Sequence, residues 1–226
     1  MLYDTEAERI KTTDHQYEYF LREYLKNKSM KIKCENFWEG RAGFSIKAIV
    51  LHITDSNEKS AINTFENPNS YVSCHYLIGD NNIYEVVKEH DTAWGCGRVL
   101  NPSWKGFLYR KLEGIDHRGI KFQGSERGRQ GQIFQPVWDK RLGGFTDIIN
   151  PNLYTLNVEV VSKGEFPKWS MWIKWAKFIK ELADKHNLPL DKLHIVNHNS
   201  INSGKTCPGN WLNYFWFKAL VRFLKV

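Results

Sequence analysis

Residues 46–54 read IKAIVLHIT, a compact apolar and β-branched run that closes on His52 and Thr54. Such a run is the signature of a buried strand. The polar stretch TDSNEKS follows it and reads as a loop. Similar segments recur along the chain. YVSCHYLIG (71–79), IYEVV (83–87), YTLNVEVV (154–161) and LHIVN (193–197) read as strands, and the turn GDNN joins the first two of these into a hairpin. Residues 168–186 place Trp172, Trp175, Ala176, Ile179, Leu182 and Ala183 on one helical stripe, predicting a helix packed on the sheet. Strands with polar ends and helices between them define an α/β class, with a mixed central β-sheet flanked by helices.

Three further segments lie around this frame. Residues 14–28 have Tyr17, Phe20, Leu21 and Tyr24 at helical spacing behind Asp14, a helix-capping residue type. They read as a helix within an N-terminal extension, residues 1–29. Residues 210–225 form an aromatic and basic helix, which either packs on the core or meets a membrane surface. Residues 95–152 are rich in Gly, Arg, Lys and aromatics and weak in periodicity. A stretch this long reads as an insertion over one face of the sheet.

Composition narrows the classes. Hydrophobic content of 42% and charged content of 25% exclude a disordered chain. The net charge of +7 favours an anionic partner: nucleic acid, anionic lipid or bacterial cell wall. No RNP or helix-turn-helix signature supports a specific nucleic-acid partner. Four cysteines without a CxxC pair do not make a disulfide scaffold in 226 residues. The start MLYDTEAERIKTTDHQYEYF has no basic-then-apolar pattern of a signal peptide, and no transmembrane stretch is visible. The expectation is synthesis in the cytoplasm.

His52 and His198 each end a strand, and Cys207 follows the loop SINSGKT. Two imidazoles and a thiolate with one open position would make a catalytic zinc donor set, in preference to magnesium or calcium, but their spacing alone does not distinguish this from an unrelated triple. Glu159 and Asn157 share one face of their strand by alternation, opposite Val158 and Val160. A carboxylate there needs a cleft or a partner.

The strings LHIT, VSCHYLIG, TLNVEVV and HNSINSGKTCPG, in this order, resemble motifs of the zinc-dependent N-acetylmuramoyl-L-alanine amidases and peptidoglycan-recognition proteins. The resemblance spans about residues 34–216. It implies Zn2+ held by His52, His198 and Cys207, with Glu159 and Lys205 as catalytic groups. It further implies His75 and Trp94 as substrate contacts, and peptidoglycan as the substrate of a catalytic domain over residues 30–226. Cys74 stands where phage members carry a catalytic Tyr, and Trp94-Gly95 stands where many relatives have Trp-His. A phage or prophage endolysin, reaching the wall through a holin, is the expected setting. A wall-fragment recycling amidase and a non-catalytic recognition protein are the alternatives.

Overall fold

The computed structural model describes residues 30–97, 134–139, 144–163 and 169–209, together with Phe217 and Val221. The expected N-terminal helix lies outside these residues. So does the final helix apart from its two core positions.

The elements run β1 (Met30–Lys31), β2 (Phe37–Trp38), β3 (Ala48–Ile53), α1 (Glu58–Glu66), β4 (Tyr76–Ile78), β5 (Ile83–Glu85) and β6 (Thr92–Ala93). Then come β7 (Phe134–Asp139), β8 (Gly144–Ile149), a 3-10 turn (Pro151–Leu153), β9 (Thr155–Val160), α2 (Trp169–Lys185), β10 (Ile195–Asn197) and α3 (His198–Ile201). Six strands form the main sheet in the order β1-β5-β4-β9-β3-β10. Only the β4–β5 pair, the expected hairpin, is antiparallel; the other four pairings are parallel. The sheet is therefore mixed, as the strand pattern predicts.

Alternation along β3 divides its side chains between two layers. Ile49 and Leu51 join Leu156, Val158 and Val160 of β9 beneath α2, whose Trp172, Trp175, Ile179 and Leu182 cover them. Phe217 and Val221 enter the same layer, with the Phe217 ring 4.8 Å from that of Trp175. These two positions of the last segment thus pack on the core. Ala48 and Val50 face the opposite way, against Trp38, Trp94, Leu153 and Tyr154. Among the described residues, no helix is long and apolar enough to cross a membrane.

The stretch TDSNEKS is not all loop, because its last three residues begin α1. Asn57 caps the helix by accepting from the Ser60 N–H at 2.9 Å. Ala61 and Phe65, four apart, are its buried residues. Residues 95–152 also contain more order than their texture predicts. β7 and β8 pair antiparallel as a separate two-stranded sheet, and Ile149 sits in the core. The two ends of this excursion are fastened together: the Cys96 N–H donates to Asn152 Oδ1 at 2.9 Å. The buried Arg41 guanidinium adds hydrogen bonds to the carbonyls of Leu153 and Thr155, each at 3.1 Å, and to that of Glu89.

Candidate metal centre and catalytic cleft

In open α/β sheets, ligand sites form beyond the carboxyl ends of the parallel strands. Here three such ends lie side by side. β3 delivers His52, β9 delivers Glu159, and β10 stops at Asn197 so that His198 opens α3. The register makes His52 and Glu159 direct partners, while Asn197 pairs with Leu51. His52 and His198 therefore come to the same level, with ring centroids 4.4 Å apart.

The loop after α3 brings back the third donor. The Asn202 N–H donates to the His198 carbonyl at 2.9 Å, and the Gly204 N–H to Asn202 Oδ1 at 3.0 Å. The Asn199 N–H then donates to the Cys207 carbonyl at 2.8 Å. Cys207 Sγ accepts the Ile53 N–H at 3.2 Å, which ties it to the end of β3. One donor atom from each of His52, His198 and Cys207 lies within 4.8 Å of the others.

Both rings are oriented by their outer nitrogens. His52 Nε2 lies 3.0 Å from Asn157 Oδ1, and His198 Nε2 lies 3.0 Å from the Cys96 carbonyl. Both partners are acceptors, so each Nε2 carries the hydrogen and each Nδ1 keeps a lone pair. Burial holds both imidazoles below their ordinary range, His198 at about 4, so they remain neutral donors at pH 7. Burial and nearby Glu159 push the Cys207 thiol up, so its thiolate needs a cation beside it. Two nitrogens and one sulfur suit a borderline-soft divalent ion and not magnesium or calcium.

The three donors open into a cleft of about 510 Å³ that also contains Glu159, Lys205 and Trp94. Glu159 is on the face the alternation predicts, opposite Val158 and Val160. Its Oε1 lies 3.7 Å from His52 Nδ1, and its buried Oε2 has no hydrogen-bond partner among the described residues. Burial pushes its carboxyl up to about 8, against the opposing pull of the Lys205 ammonium. Lys205 is exposed at the cleft edge, and its charge also bears on both histidines. Trp94 lines the cleft while exposing only 2% of its surface, with Trp38 packed 5.6 Å away.

His75 does not join this group. It is fully buried, and its Nδ1 accepts the Asn157 N–H at 2.9 Å. It stands beside β9, just before β4, and is not among the residues that line the cleft. Cys74, at the position of the phage members' Tyr, is packed among Phe65, Leu77 and Val161. All four cysteines are free of disulfides. A second depression, about 610 Å³, holds none of the three candidate donors. On its wall Glu89 accepts from Tyr76 Oη at 2.5 Å, Lys185 Nζ at 2.9 Å and His186 Nε2 at 2.7 Å.

A mixed α/β sheet carrying a His-His-Cys donor cluster, with a carboxylate and a lysine in the same cleft, has the layout of a metallohydrolase site. The family model for N-acetylmuramoyl-L-alanine amidases matches residues 42–210, and the chain belongs to that family. It is 37% identical over 74 residues to N-acetylmuramoyl-L-alanine amidase A of Achromobacter lyticus. That match covers 32% of this chain and 37% of the relative, so little more than a third of the curated relative's length is spanned. Among solved structures, a mutant endolysin from Bacillus subtilis is similar in fold, with a TM-score of 0.53, 18% identity, and coverage of 85% of this chain and 97% of that one. AmpD is similar too, with a TM-score of 0.54, 16% identity, and coverage of 86% and 94%.

Proposed function

We propose that this chain hydrolyses the amide bond between N-acetylmuramic acid and L-alanine in bacterial peptidoglycan, using zinc held by His52, His198 and Cys207. The observation that carries the reading is the convergence of these three donors with an unpartnered Glu159 oxygen in one cleft. It acquires a substrate from the family to which the chain belongs.

When bound, zinc supplies Lewis acidity, lowering the pKa of a water toward roughly 7 and polarising the amide carbonyl. The remaining work falls to the protein. Glu159 takes a proton from the attacking water and passes it to the leaving amine of L-alanine. Burial strengthens its hold on a proton relative to an ordinary glutamate, which helps it keep the proton taken from water until the amine accepts it. Lys205 sets a positive charge at the cleft edge, where an oxyanion develops. Trp94 offers an apolar wall to the substrate. The catalytic unit is residues 30–226, with residues 1–29 as an extension.

The favoured setting is a phage or prophage endolysin acting on the wall after release through a holin. The net charge of +7 suits an anionic wall. Recycling of soluble wall fragments is the alternative, and assays on intact sacculi beside soluble muropeptides separate the two.

The test is digestion of peptidoglycan by wild type, Glu159→Ala and Cys207→Ala, with products read by mass spectrometry for new L-alanine amino termini. Release by wild type alone is expected. Zinc-loaded wild type that binds the wall and frees nothing would make this a recognition protein.

A further inference from the structure

Position 95 is a glycine, and a Cβ placed there would lie 2.5 Å from Asn157 Cγ and 2.6 Å from Asn157 Oδ1. The two positions share one volume. The Asn157 amide occupies the room that any side chain at position 95 would need.

Asn157 is completely buried in the middle of β9, with both its main-chain N–H and its carbonyl bonded to His75. Its N–H donates to His75 Nδ1 and its carbonyl accepts the His75 N–H, each at 2.9 Å. The amide oxygen meets two donors: His52 Nε2–H at 3.0 Å and the Cys96 thiol at 3.4 Å. The amide nitrogen Nδ2 is also buried and has no hydrogen-bond partner among the described residues. Burying an unsatisfied NH2 is costly, because its water hydrogen bonds are lost without replacement. A leucine of similar size would fill the space without that cost. What leucine lacks is the oxygen.

We propose that Asn157 is a positioning residue for the metal centre: its oxygen fixes the proton of His52 on Nε2, so that Nδ1 is presented to the ion, and Gly95 exists to leave room for it. The inference rests on the zinc-site reading given above. The reverse orientation of the amide would direct an N–H at Nε2, drive the proton to Nδ1 and remove that nitrogen from the donor set. Acceptors behind a metal-binding imidazole characteristically set its tautomer and ring angle in this way, and their loss costs about 10–100-fold in affinity. His198 has the same support from a backbone carbonyl, which no substitution can remove. His52 alone depends on a side chain.

The experiment is competition of wild type and variants with a chromophoric chelator for Zn2+, with His52→Ala as control. Asn157→Leu is expected to bind zinc about 10–100-fold more weakly. Asn157→Asp, which keeps an acceptor, is expected to stay within a few fold of wild type. Gly95→Ala, which displaces the amide without altering it, should weaken binding as Asn157→Leu does and replaces it if that variant does not fold. Ring 15N shifts of the metal-free protein give a second readout: His52 is Nε2-protonated in wild type and loses that preference in Asn157→Leu. Unchanged zinc affinity or an unchanged His52 tautomer in the leucine variant overturns the proposal while leaving the zinc site standing. A wild type that binds no zinc overturns the metal reading and this inference together.

Discussion

His52 and Glu159 are register partners on adjacent parallel strands, and His52 Nδ1 lies 3.7 Å from Glu159 Oε1. The donor and the carboxylate are therefore positioned by the same ladder of main-chain hydrogen bonds. Glu159→Gln preserves shape and removes the proposed base. It should lower kcat by about 10²–10⁴-fold with zinc content unchanged. Parallel loss of zinc, measured by elemental analysis, would make Glu159 a ligand and not a base.

Removing the metal should abolish hydrolysis and lower the melting temperature, and added zinc should restore both. At free zinc of a hundred times Kd the stabilisation is about 2.7 kcal/mol. Cys207→Ala should lose most of it, because it removes the sulfur donor held at the end of β3. An identical melting temperature with and without zinc in wild type would contradict this.

Glu89 should make stability dependent on acid. Burial raises its carboxyl, but hydrogen bonds from Tyr76, Lys185 and His186 outweigh that and hold it below the ordinary glutamate range. A depressed carboxylate stabilises the fold above its unfolded value, about 4.5, and loses the contribution as pH falls through the folded value. Glu89→Gln should thus melt below wild type at pH 7, and the difference should narrow as pH falls beneath about 4.5. Melting curves of both proteins across pH 3–7 decide it (roughly the glutamate titration range), and a constant gap would refute the assignment.

Phe217→Ala should cost about 3–5 kcal/mol, since the ring is fully buried between Trp172 and Trp175. Denaturant unfolding measures this. A loss below about 1 kcal/mol would mean that the segment does not contribute to the core.

The sheet and the clustering of His52, His198 and Cys207 were legible because their signals are local and strong. An apolar run ending in a polar residue marks both a strand and the mouth of a cleft, and His52 and Glu159 occupy such ends. α1 escaped because its apolar face is short, Ala61, Ile62 and Phe65, within a polar stretch. Its real signal was the Asn57 cap followed by Glu58. The β7–β8 hairpin was obscured by Pro136 within one strand and the polar Thr146-Asp147 pair within the other. His75 resembled a cleft residue because a motif fixes sequence position and not depth. Asn157 could not be singled out, because its importance depends on Gly95, a neighbour in space that no spacing rule connects to it.

Arg41 and the Cys96–Asn152 hydrogen bond fasten the base of the excursion between residues 97 and 149 from the protein side. Both anchors lie outside the segment they secure. The mouth of that loop is thus preset, and lengthening it adds only a slowly growing closure entropy, about 0.6 kcal/mol per doubling. The fold carries a grafting port beside its cleft. A change within that segment leaves in place the anchors that hold its two ends, Arg41 and the Cys96–Asn152 hydrogen bond.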